Sequence, residues 1–267
     1  MCGTCGCGDE NTTRILTPKE HQQLHDHNHG HNHNHNHDHN HNHGDHNHVI
    51  AVEKNILNHN DILAARNRGY FDAKNIFTLN LVSSPGSGKT SFLERTLTDL
   101  KDTIDFSVIE GDQQTMNDAD RIDALQIPVV QINTGSGCHL ESDMIYDAVK
   151  KLDIKDNSVL MIENVGNLVC PSLFDLGENK RIVIISTTEG DDKPIKYPDM
   201  FGSSQVCIIN KVDLLPYVNF DVDKVKEYAR KVNPDLIFFE VSATKGDGMD
   251  AWYDWLKNHL DAQLDDY

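Results

Sequence analysis

The feature that most constrains the fold is an apolar stretch that runs directly into a glycine-rich loop. Residues 77–83 (Phe-Thr-Leu-Asn-Leu-Val-Ser) have the composition of a buried strand, and residues 83–90 read Ser-Ser-Pro-Gly-Ser-Gly-Lys-Thr. A helix is predicted from Lys89 to Leu100. A strand, a glycine loop and a helix in this order place backbone N–H groups against a phosphate. The sequence therefore predicts a P-loop.

The loop departs from the strict P-loop pattern at one position, because Ser83 stands where that pattern has glycine. Gly86 provides flexibility inside the loop. We expect the Lys89 ammonium to contact the terminal phosphates and the Thr90 hydroxyl to bind Mg²⁺. The predicted phosphate-binding residues are Ser84, Gly86, Ser87, Gly88, Lys89, Thr90 and Ser91.

Further strands and helices alternate along the chain, as a buried and mainly parallel sheet requires. Strands are predicted at Phe106–Glu110, Val129–Ile132, Ser158–Glu163, Arg181–Ser186, Val206–Asn210 and Ile237–Val241. Helices are predicted at Asn117–Leu125, Leu140–Leu152, Val222–Val232 and Met249–Leu260. The predicted fold class is α/β: a P-loop NTPase domain over residues 49–267, its mainly parallel sheet flanked by helices. An amphipathic helix at 50–68 leads into it, and a disordered metal-binding tail, residues 1–48, precedes it.

Two short motifs at strand ends indicate that the nucleotide is GTP. In Asn210-Lys-Val-Asp213, the Asp213 carboxylate can accept hydrogen bonds from the ring N–H and the amine of guanine, a pair that adenine lacks in that arrangement. Asn210 can contact the other edge of the base, and the Lys211 stem can lie over its face. In Ser242-Ala-Thr244, the Ala243 N–H can meet the guanine oxygen. The predicted base-binding residues are Asn210, Lys211, Asp213, Ser242, Ala243 and Thr244.

Two acidic loops between these motifs are predicted to complete the catalytic site. Asp112, in Glu110-Gly-Asp-Gln-Gln-Thr115, is the candidate for ordering Mg²⁺ or the attacking water. Glu163 stands where a Walker B acid would bind Mg²⁺, and Gly166 can approach the γ-phosphate. The alternative is structural: Asp112 caps a helix and Glu163 ends a strand. With Lys89 these acids are the predicted catalytic residues, and we expect slow intrinsic turnover because no Gln or Arg completes the transition state.

Three metal-ligating side chains follow strands that end at the same predicted sheet edge. Two thiolates and one imidazole, from Cys138, His139 and Cys170, suit Zn²⁺ or Ni²⁺ but leave one position for water or for a ligand across a dimer. Alternatively the two cysteines are small buried hydrophobes. Because Cys170 shares a short loop with Glu163, we expect the γ-phosphate to change metal affinity. Cys207, in an apolar strand, is predicted to be core.

The first 48 residues are rich in metal ligands of two kinds. Cys2, Cys5 and Cys7 can present three thiolates to one ion without help from a fold, and thirteen of the sixteen histidines lie from His21 to His48. An affinity tag and a functionless linker are the alternatives for the histidine run. The predicted metal-storage residues are His25, His27, His29, His31, His33, His35, His37, His39, His41, His43, His46 and His48.

The overall charge excludes two classes of partner. Asp and Glu number 42 against 24 Lys and Arg, for a formal net charge of -18. Nucleic acids and acidic membrane surfaces need clustered positive charge, so neither is an expected partner. The chain has no stretch of about 20 apolar residues and no signal peptide, which predicts a cytoplasmic protein.

Together these motifs resemble the HypB family of hydrogenase nickel-incorporation GTPases. The resemblance covers the N-terminus and the whole domain, and rests on Cys2–Cys7, Ser83–Thr90, Glu110–Thr115, Cys138-His139, Glu163–Pro171 and Asn210–Asp213. It implies a GTP-dependent homodimer that helps deliver nickel to the precursor of the [NiFe]-hydrogenase large subunit, together with a HypA-type nickel metallochaperone. It also implies a tight nickel site at the N-terminal cysteines and a metal site at the dimer interface. The implied cofactors and cargo are GTP/GDP, Mg²⁺, Ni²⁺ and Zn²⁺.

Two other functions stay open. The related urease-accessory GTPases can also begin with a histidine-rich segment, although the N-terminal cysteines and the separation of Cys138 from Cys170 favour the hydrogenase family. The second alternative is a nickel storage protein, in which the histidine run is the function and the GTPase domain is secondary.

Overall fold

A single sheet of eight strands organises the chain over residues 14–18, 20, 46–112 and 117–265, the part that the computed structural model describes. The sheet order is β1-β4-β3-β5-β2-β6-β7-β8, and each neighbouring pair is parallel except β1 with β4. In chain order the strands are β1 (Arg14–Leu16), β2 (Ile76–Ser83), β3 (Phe106–Asp112), β4 (Val129–Asn133), β5 (Ser158–Glu163), β6 (Lys180–Ser186), β7 (Val206–Asn210) and β8 (Ile237–Glu240).

Helices cover both faces of this sheet. They are α1 (His46–Ala73), α2 (Lys89–Leu100), α3 (Asn117–Asp123), α4 (Ser142–Val149), α5 (Lys193–Lys196), α6 (Pro198–Ser203), α7 (Val222–Val232) and α8 (Met249–Asp265). Short 3-10 turns lie at Cys170–Leu173 and Val212–Tyr217. The predicted α/β fold of the P-loop class is confirmed, and each predicted strand and helix is present with ends that differ by a few residues.

Successive side chains of each strand point to opposite faces of the sheet, so each strand packs against helices on both faces. In β2, Phe77, Leu79 and Leu81 face one apolar cluster with α2, α3 and α8, where the Trp252 indole N–H donates to Thr96 Oγ1 at 3.0 Å. The intervening residues face α1 and α4 on one half of the sheet and α6 and α7 on the other half. Cys207 is fully buried in the latter cluster, as predicted, and burial raises the pKa of its thiol.

The N-terminal end of the described chain differs from the prediction of one disordered tail over residues 1–48. Arg14–Leu16 pairs antiparallel with β4, and Ile15 packs against the apolar cluster under α4. Lys151 Nζ donates to the Ile15 carbonyl oxygen at 2.7 Å. The leading helix is also longer than predicted and begins at His46 rather than at residue 50. A short apolar segment therefore joins the sheet inside a stretch whose composition otherwise indicates disorder.

The topology places the functional loops at one edge of the sheet. β2 lies between β5 and β6, so its carboxyl end, which leads into the P-loop, adjoins the carboxyl ends of both strands. Ligands of open α/β sheets bind at this edge. Among the described residues, no helix is both long and apolar enough to cross a membrane.

Candidate nucleotide and metal sites

The P-loop depends on two glycines with left-handed backbone angles. Gly86 has φ 76° and Gly88 has φ 90°, a region that side chains disfavour. A Cβ on Gly88 would lie 2.5 Å from Nδ2 of Asn210. Asn210 Nδ2 donates instead to the Ser87 carbonyl oxygen at 3.0 Å. The phosphate loop and the predicted guanine motif are therefore in direct contact.

Lys89, Thr90 and Glu163 meet at the start of α2. Lys89 Nζ lies 2.5 Å from Glu163 Oε1, and the Thr90 hydroxyl donates to the same oxygen at 2.7 Å. Both charged groups are buried, with side chains 10% and 1% exposed. Burial lowers the pKa of Lys89, but the negative charges of Glu163 and Glu110 outweigh it, so the net pKa is raised. The lysine is therefore held as an ammonium.

Glu110 lies in this site, although no local sequence pattern predicts a role for it. It pairs with Glu163 across the β3–β5 register and is 2% exposed. Burial and the charge of Glu163 raise the pKa of Glu110 well above its usual value. Asp112 lies two residues further along β3, half-buried, opposite Asn133 of β4. The acidic side chain beside Glu163 is thus Glu110, whereas Asp112 is the last residue of β3, which extends two residues beyond its predicted end at Glu110.

The donor set at this point fits Mg²⁺. Within the described chain, Oε2 of Glu110 and Oε2 of Glu163 are buried and have no hydrogen-bond partner. An unpartnered buried carboxylate oxygen is costly unless a cation or donor approaches it. Carboxylate and hydroxyl oxygens are ligands that Mg²⁺ prefers, and the Thr90 hydroxyl lies beside them.

The remaining phosphate-loop serines have different surroundings. Ser84 Oγ donates a short hydrogen bond to Glu189, whose other oxygen accepts from the Ser186 N–H at 3.2 Å. Ser87 is buried and its hydroxyl has no partner among the described residues, which leaves it available to a phosphate oxygen. Ser91 lies in the first turn of α2 and is half-buried.

The predicted base-binding residues converge at the carboxyl ends of β7 and β8. Asn210 Oδ1 accepts from the N–H groups of Lys211 at 2.8 Å and of Ala243 at 3.2 Å. Asp213 Oδ1 accepts from the Ser242 hydroxyl at 2.7 Å, and that hydroxyl lies 3.3 Å from Thr244 Oγ1. The Lys211 ammonium donates to the Gly86 carbonyl oxygen at 2.7 Å, so its stem crosses toward the P-loop.

Cys138, His139 and Cys170 form a second cluster at the same sheet edge. Their ligand atoms all lie within 4.8 Å of one another, so small side-chain movements would bring them around one ion. Cys138 Sγ is 3.7 Å from His139 Nδ1. His139 Nε2 is buried and lies 3.3 Å from Glu141 Oε1, within ion-pair reach but without hydrogen-bond geometry. The chemistry of this set suits Zn²⁺ or Ni²⁺.

The segment from Glu163 to Cys170 connects the two sites. Asn164 Oδ1 accepts from the Leu140 N–H at 3.3 Å, next to His139. A Cβ on Gly166 would lie 3.4 Å from the Pro85 Cα, so this segment touches the P-loop. Asn167 Nδ2 donates to the Cys138 carbonyl oxygen at 3.3 Å. One short segment therefore contacts the P-loop and the loop of Cys138 and His139, and ends at Cys170.

The N-terminal metal ligands are only partly within the described chain. Cys2, Cys5, Cys7 and the histidines from His25 to His43 lie outside the described residues. His46 and His48 belong to the first turns of α1. The predicted roles of these residues stay predictions.

The fold and the site define a P-loop nucleotide-binding protein with a cysteine–histidine cluster beside the phosphate loop. Residues 77–240 match the family model "CobW/HypB/UreG, nucleotide-binding domain". A hydrogenase maturation factor HypB of Escherichia coli is 55% identical over 209 residues, which cover 78% of this chain and 72% of that protein. The chain belongs to the HypB family of hydrogenase maturation factors.

Two comparisons with HypB of Helicobacter pylori show the same relationship. A hydrogenase/urease maturation factor HypB of this organism is 44% identical over 198 residues, which cover 73% of this chain and 81% of that protein. The crystal structure of HypB from this organism in complex with nickel is 41% identical, with a TM-score of 0.71, and the match covers 78% of this chain and 96% of that one.

Proposed function

We propose that this protein is a GTP-hydrolysing nickel metallochaperone that stores nickel and helps insert it into the large subunit of [NiFe]-hydrogenase. The observation that carries the proposal is the short segment from Glu163 to Cys170. Its first residue contacts Lys89 and Thr90, and its last is a member of the metal cluster. A nucleotide switch and a metal site built on one segment suit a protein that releases metal in response to GTP.

In the proposed hydrolysis, the ammonium of Lys89 leaves Glu163 and pairs with the terminal phosphates when the triphosphate binds. Thr90 and Glu163 would hold Mg²⁺, with Asp112 ordering the ion or the attacking water. When bound, the ion neutralises charge that develops on the phosphate oxygens. Glu163 is buried, so water is excluded and these charges act strongly. Slow turnover is expected because no arginine or glutamine from this chain is assigned to the transition state.

The proposed base specificity rests on donor and acceptor matching. The Asp213 carboxylate would accept from the ring N–H and the amine of guanine. The buried Ala243 N–H, which donates to Asn210 Oδ1 at 3.2 Å, would turn from that oxygen to the guanine oxygen when the base binds. Adenine presents no ring N–H to that carboxylate, so GTP and GDP are the proposed nucleotides.

Nickel is the proposed cargo of three sets of ligands. The histidine run would collect Ni²⁺ weakly, Cys2, Cys5 and Cys7 would bind it tightly, and Cys138, His139 and Cys170 would bind Ni²⁺ or Zn²⁺. The register of β1 supports transfer of nickel between the N-terminal cysteines and the domain cluster, because Arg14 pairs with Asn133 at the carboxyl end of β4. Residue 14 is seven residues after Cys7, a span of about 24 Å at most. The N-terminal cysteines are thus within reach of this sheet edge.

The proposed partners follow from the incomplete cluster and its surroundings. Three protein ligands leave a coordination position that a second copy or a partner could fill. Val169 and Leu173, on either side of Cys170, are 50% and 54% exposed. We propose a GTP-dependent homodimer that acts with a HypA-type nickel metallochaperone on the large-subunit precursor. A urease role is the second candidate, favoured by the name of the Helicobacter pylori relative, which includes urease.

A maturation assay can distinguish the contribution of the histidine run from that of the GTP switch. We expect a full-length variant with asparagine at each histidine from His21 to His43 to mature hydrogenase poorly at limiting nickel and normally at high nickel, because weak storage sites matter only when supply is low. Hydrogenase activity and bound nickel would be measured in cells that lack their own HypB. Urease measured in parallel decides between the two maturation roles.

The alternative function, a nickel storage protein, predicts the opposite result. If the histidine variant failed to mature hydrogenase even at high nickel while Lys89→Ala matured it normally, the chain would be a metal store and the GTP switch would be wrong. The asparagine substitutions preserve chain length, and they stop before His46 so that α1 is intact.

The metal cluster can be tested by thiolate-to-nickel charge-transfer absorption. A full-length Cys2→Ala/Cys5→Ala/Cys7→Ala variant, the parent, has only the thiolates of the domain, and histidine gives no such band. We expect Ni²⁺ to produce the band and Cys170→Ser to weaken Ni²⁺ binding at this site about 100-fold or more, because a thiolate ligand is lost.

The same parent tests the coupling of nucleotide to metal. Ni²⁺ affinity should differ between GDP and a non-hydrolysable GTP analogue, since Gly166 lies against the P-loop. Cys207→Ser is the matched control for Cys170→Ser, because the Cys207 thiol is buried in β7 away from the cluster. Equal affinities with the two nucleotides would refute the coupling.

A further inference from the structure

The two loops that carry the metal ligands come from distant parts of the sequence and need a common anchor. His139 lies just before α4, and Cys170 begins the turn that leads to β6. The His139 ring stacks on Phe174 with a centroid distance of 3.9 Å, which joins the loops on one side. A metal site of fixed geometry requires the loops to be held together on the other side as well.

The side chain of Asn60 in α1 bridges these loops. Its Oδ1 accepts from the Ser142 N–H at 2.9 Å, and its Nδ2 donates to the Asp175 carbonyl oxygen at 2.7 Å. Ser142 is the first residue of α4, where a backbone N–H has no partner inside the helix. Glu141, which precedes it, makes no capping hydrogen bond with its side chain. The cap of α4 is therefore supplied by another helix.

A second amide from α1 repeats the arrangement about two turns further along the helix. Asn67 Nδ2 donates to the Ser142 carbonyl oxygen at 2.8 Å and to the Leu176 carbonyl oxygen at 3.2 Å. The Ser142 hydroxyl donates to the Asp175 carbonyl oxygen at 2.7 Å. Asn60 and Asn67 are each 3% exposed, and Ser142 is fully buried. Three polar side chains thus form a buried network with backbone groups of the two loops.

The loop after Cys170 lies directly against α1. Gly177 has φ 92°, and a Cβ there would be 2.7 Å from the Ala64 carbonyl oxygen. Arg68 donates to both oxygens of the Asp175 carboxylate at 2.8 Å. This contact fixes the position of the loop relative to the helix, so α1 is the common anchor of both loops.

We propose that Asn60 and Asn67 are positioning residues of the metal site. They set the distance between the loop of His139 and the loop of Cys170, and so set metal affinity from α1 without touching the metal. The inference rests on the proposed metal site of Cys138, His139 and Cys170. Removal of either amide leaves buried backbone groups without partners, and the loops are then free to separate.

The test measures Ni²⁺ binding to the full-length Cys2→Ala/Cys5→Ala/Cys7→Ala parent. Asn60→Ala is expected to weaken Ni²⁺ binding about 10- to 100-fold and to shift the thiolate charge-transfer band, as loss of an outer-sphere partner does. GTP affinity should stay at the parent value, because Asn60 contacts neither nucleotide motif. Ser142→Ala removes one hydroxyl contact and retains the capped N–H, so a smaller loss in the same direction is expected, even if Asn60→Ala folds poorly.

Asn233→Ala is the matched control. Asn233 also donates to two carbonyl oxygens, of Phe201 at 3.1 Å and of Ser204 at 2.7 Å, but its contacts lie near α6. Its Ni²⁺ affinity and band should equal those of the parent. A parent-like band and affinity in Asn60→Ala would overturn the inference, and so would the same result in Ser142→Ala if Asn60→Ala does not fold. An equal loss of GTP affinity would also overturn it. If Cys170→Ser left the band unchanged, the metal site itself would be wrong.

Discussion

Lys89→Ala is expected to reduce GTP hydrolysis about 100- to 1000-fold, the cost of losing one preorganised charge at a reacting phosphate. Lys89 is buried, pairs with Glu163, and has a raised pKa. It is therefore an ammonium throughout the neutral range and is ready to pair with a triphosphate. The variant also loses phosphate binding in the ground state, so GTP affinity falls with turnover. Phosphate release at saturating GTP and equilibrium titration with a fluorescent GTP analogue measure the two effects.

Lys74→Ala is the matched control for this experiment. Lys74 also forms an ion pair, 2.6 Å from Asp156, but it follows α1 near the amino end of β2. Its hydrolysis rate should equal that of the wild type. Wild-type turnover in Lys89→Ala would show that the P-loop does not support hydrolysis in this chain.

The parts of the fold that the sequence predicts are those set by local patterns. β2 and the P-loop are recognised by one apolar run and a glycine loop, and β7 with Asn210 by a similar run. Carboxyl ends of parallel strands meet at one sheet edge, so the approach of Asn210 to the P-loop follows from topology alone. The clustering of Cys138, His139 and Cys170 was predicted by the same rule.

Some site residues are not predicted from the sequence, because their positions depend on the register between strands that are distant in the chain. Glu110 lies beside Glu163 because β3 pairs with β5, and no local pattern states which strands are neighbours. The available signal was an acid inside an apolar strand, two residues before Asp112. Asn60 was missed for a related reason, since a polar residue in an amphipathic helix is ordinarily exposed, whereas this one is buried against two loops.

β1 shows how composition can hide a short element. The three residues from Arg14 to Leu16 are too few for a periodicity argument and lie between segments rich in glycine and in histidine. What stabilises the strand is tertiary: pairing with β4, burial of Pro18 nearby, and the bond from Lys151. Such a strand can be predicted only when the neighbouring strand with which it pairs, here β4, is known.

Asp213→Asn is expected to lower GTP affinity roughly 100-fold or more and to create binding of xanthosine triphosphate. The carboxylate would accept two hydrogen bonds from guanine, and an amide can accept only one while its NH₂ group opposes the guanine amine. The variant loses one hydrogen bond to a charged group and gains an unfavourable contact between two donors. Together these changes cost about 3 kcal/mol or more of binding free energy. Xanthine has an oxygen where guanine has that amine, so the variant amide can donate to it. Competition titrations with the two triphosphates measure the exchange.

Asp213→Asn is expected to preserve the local hydrogen bond of this residue, and the chain offers a matched control. The Ser242 hydroxyl donates to Asp213 Oδ1, and the retained carbonyl oxygen of asparagine can accept the same bond. Asp221 caps α7 by accepting from the Lys224 N–H at 3.0 Å, and asparagine caps helices equally well. Asp221→Asn should therefore leave both nucleotide affinities unchanged. If Asp213→Asn also bound GTP as tightly as the wild type, the carboxylate would not recognise the base, and the proposed preference for GTP over ATP would need another source.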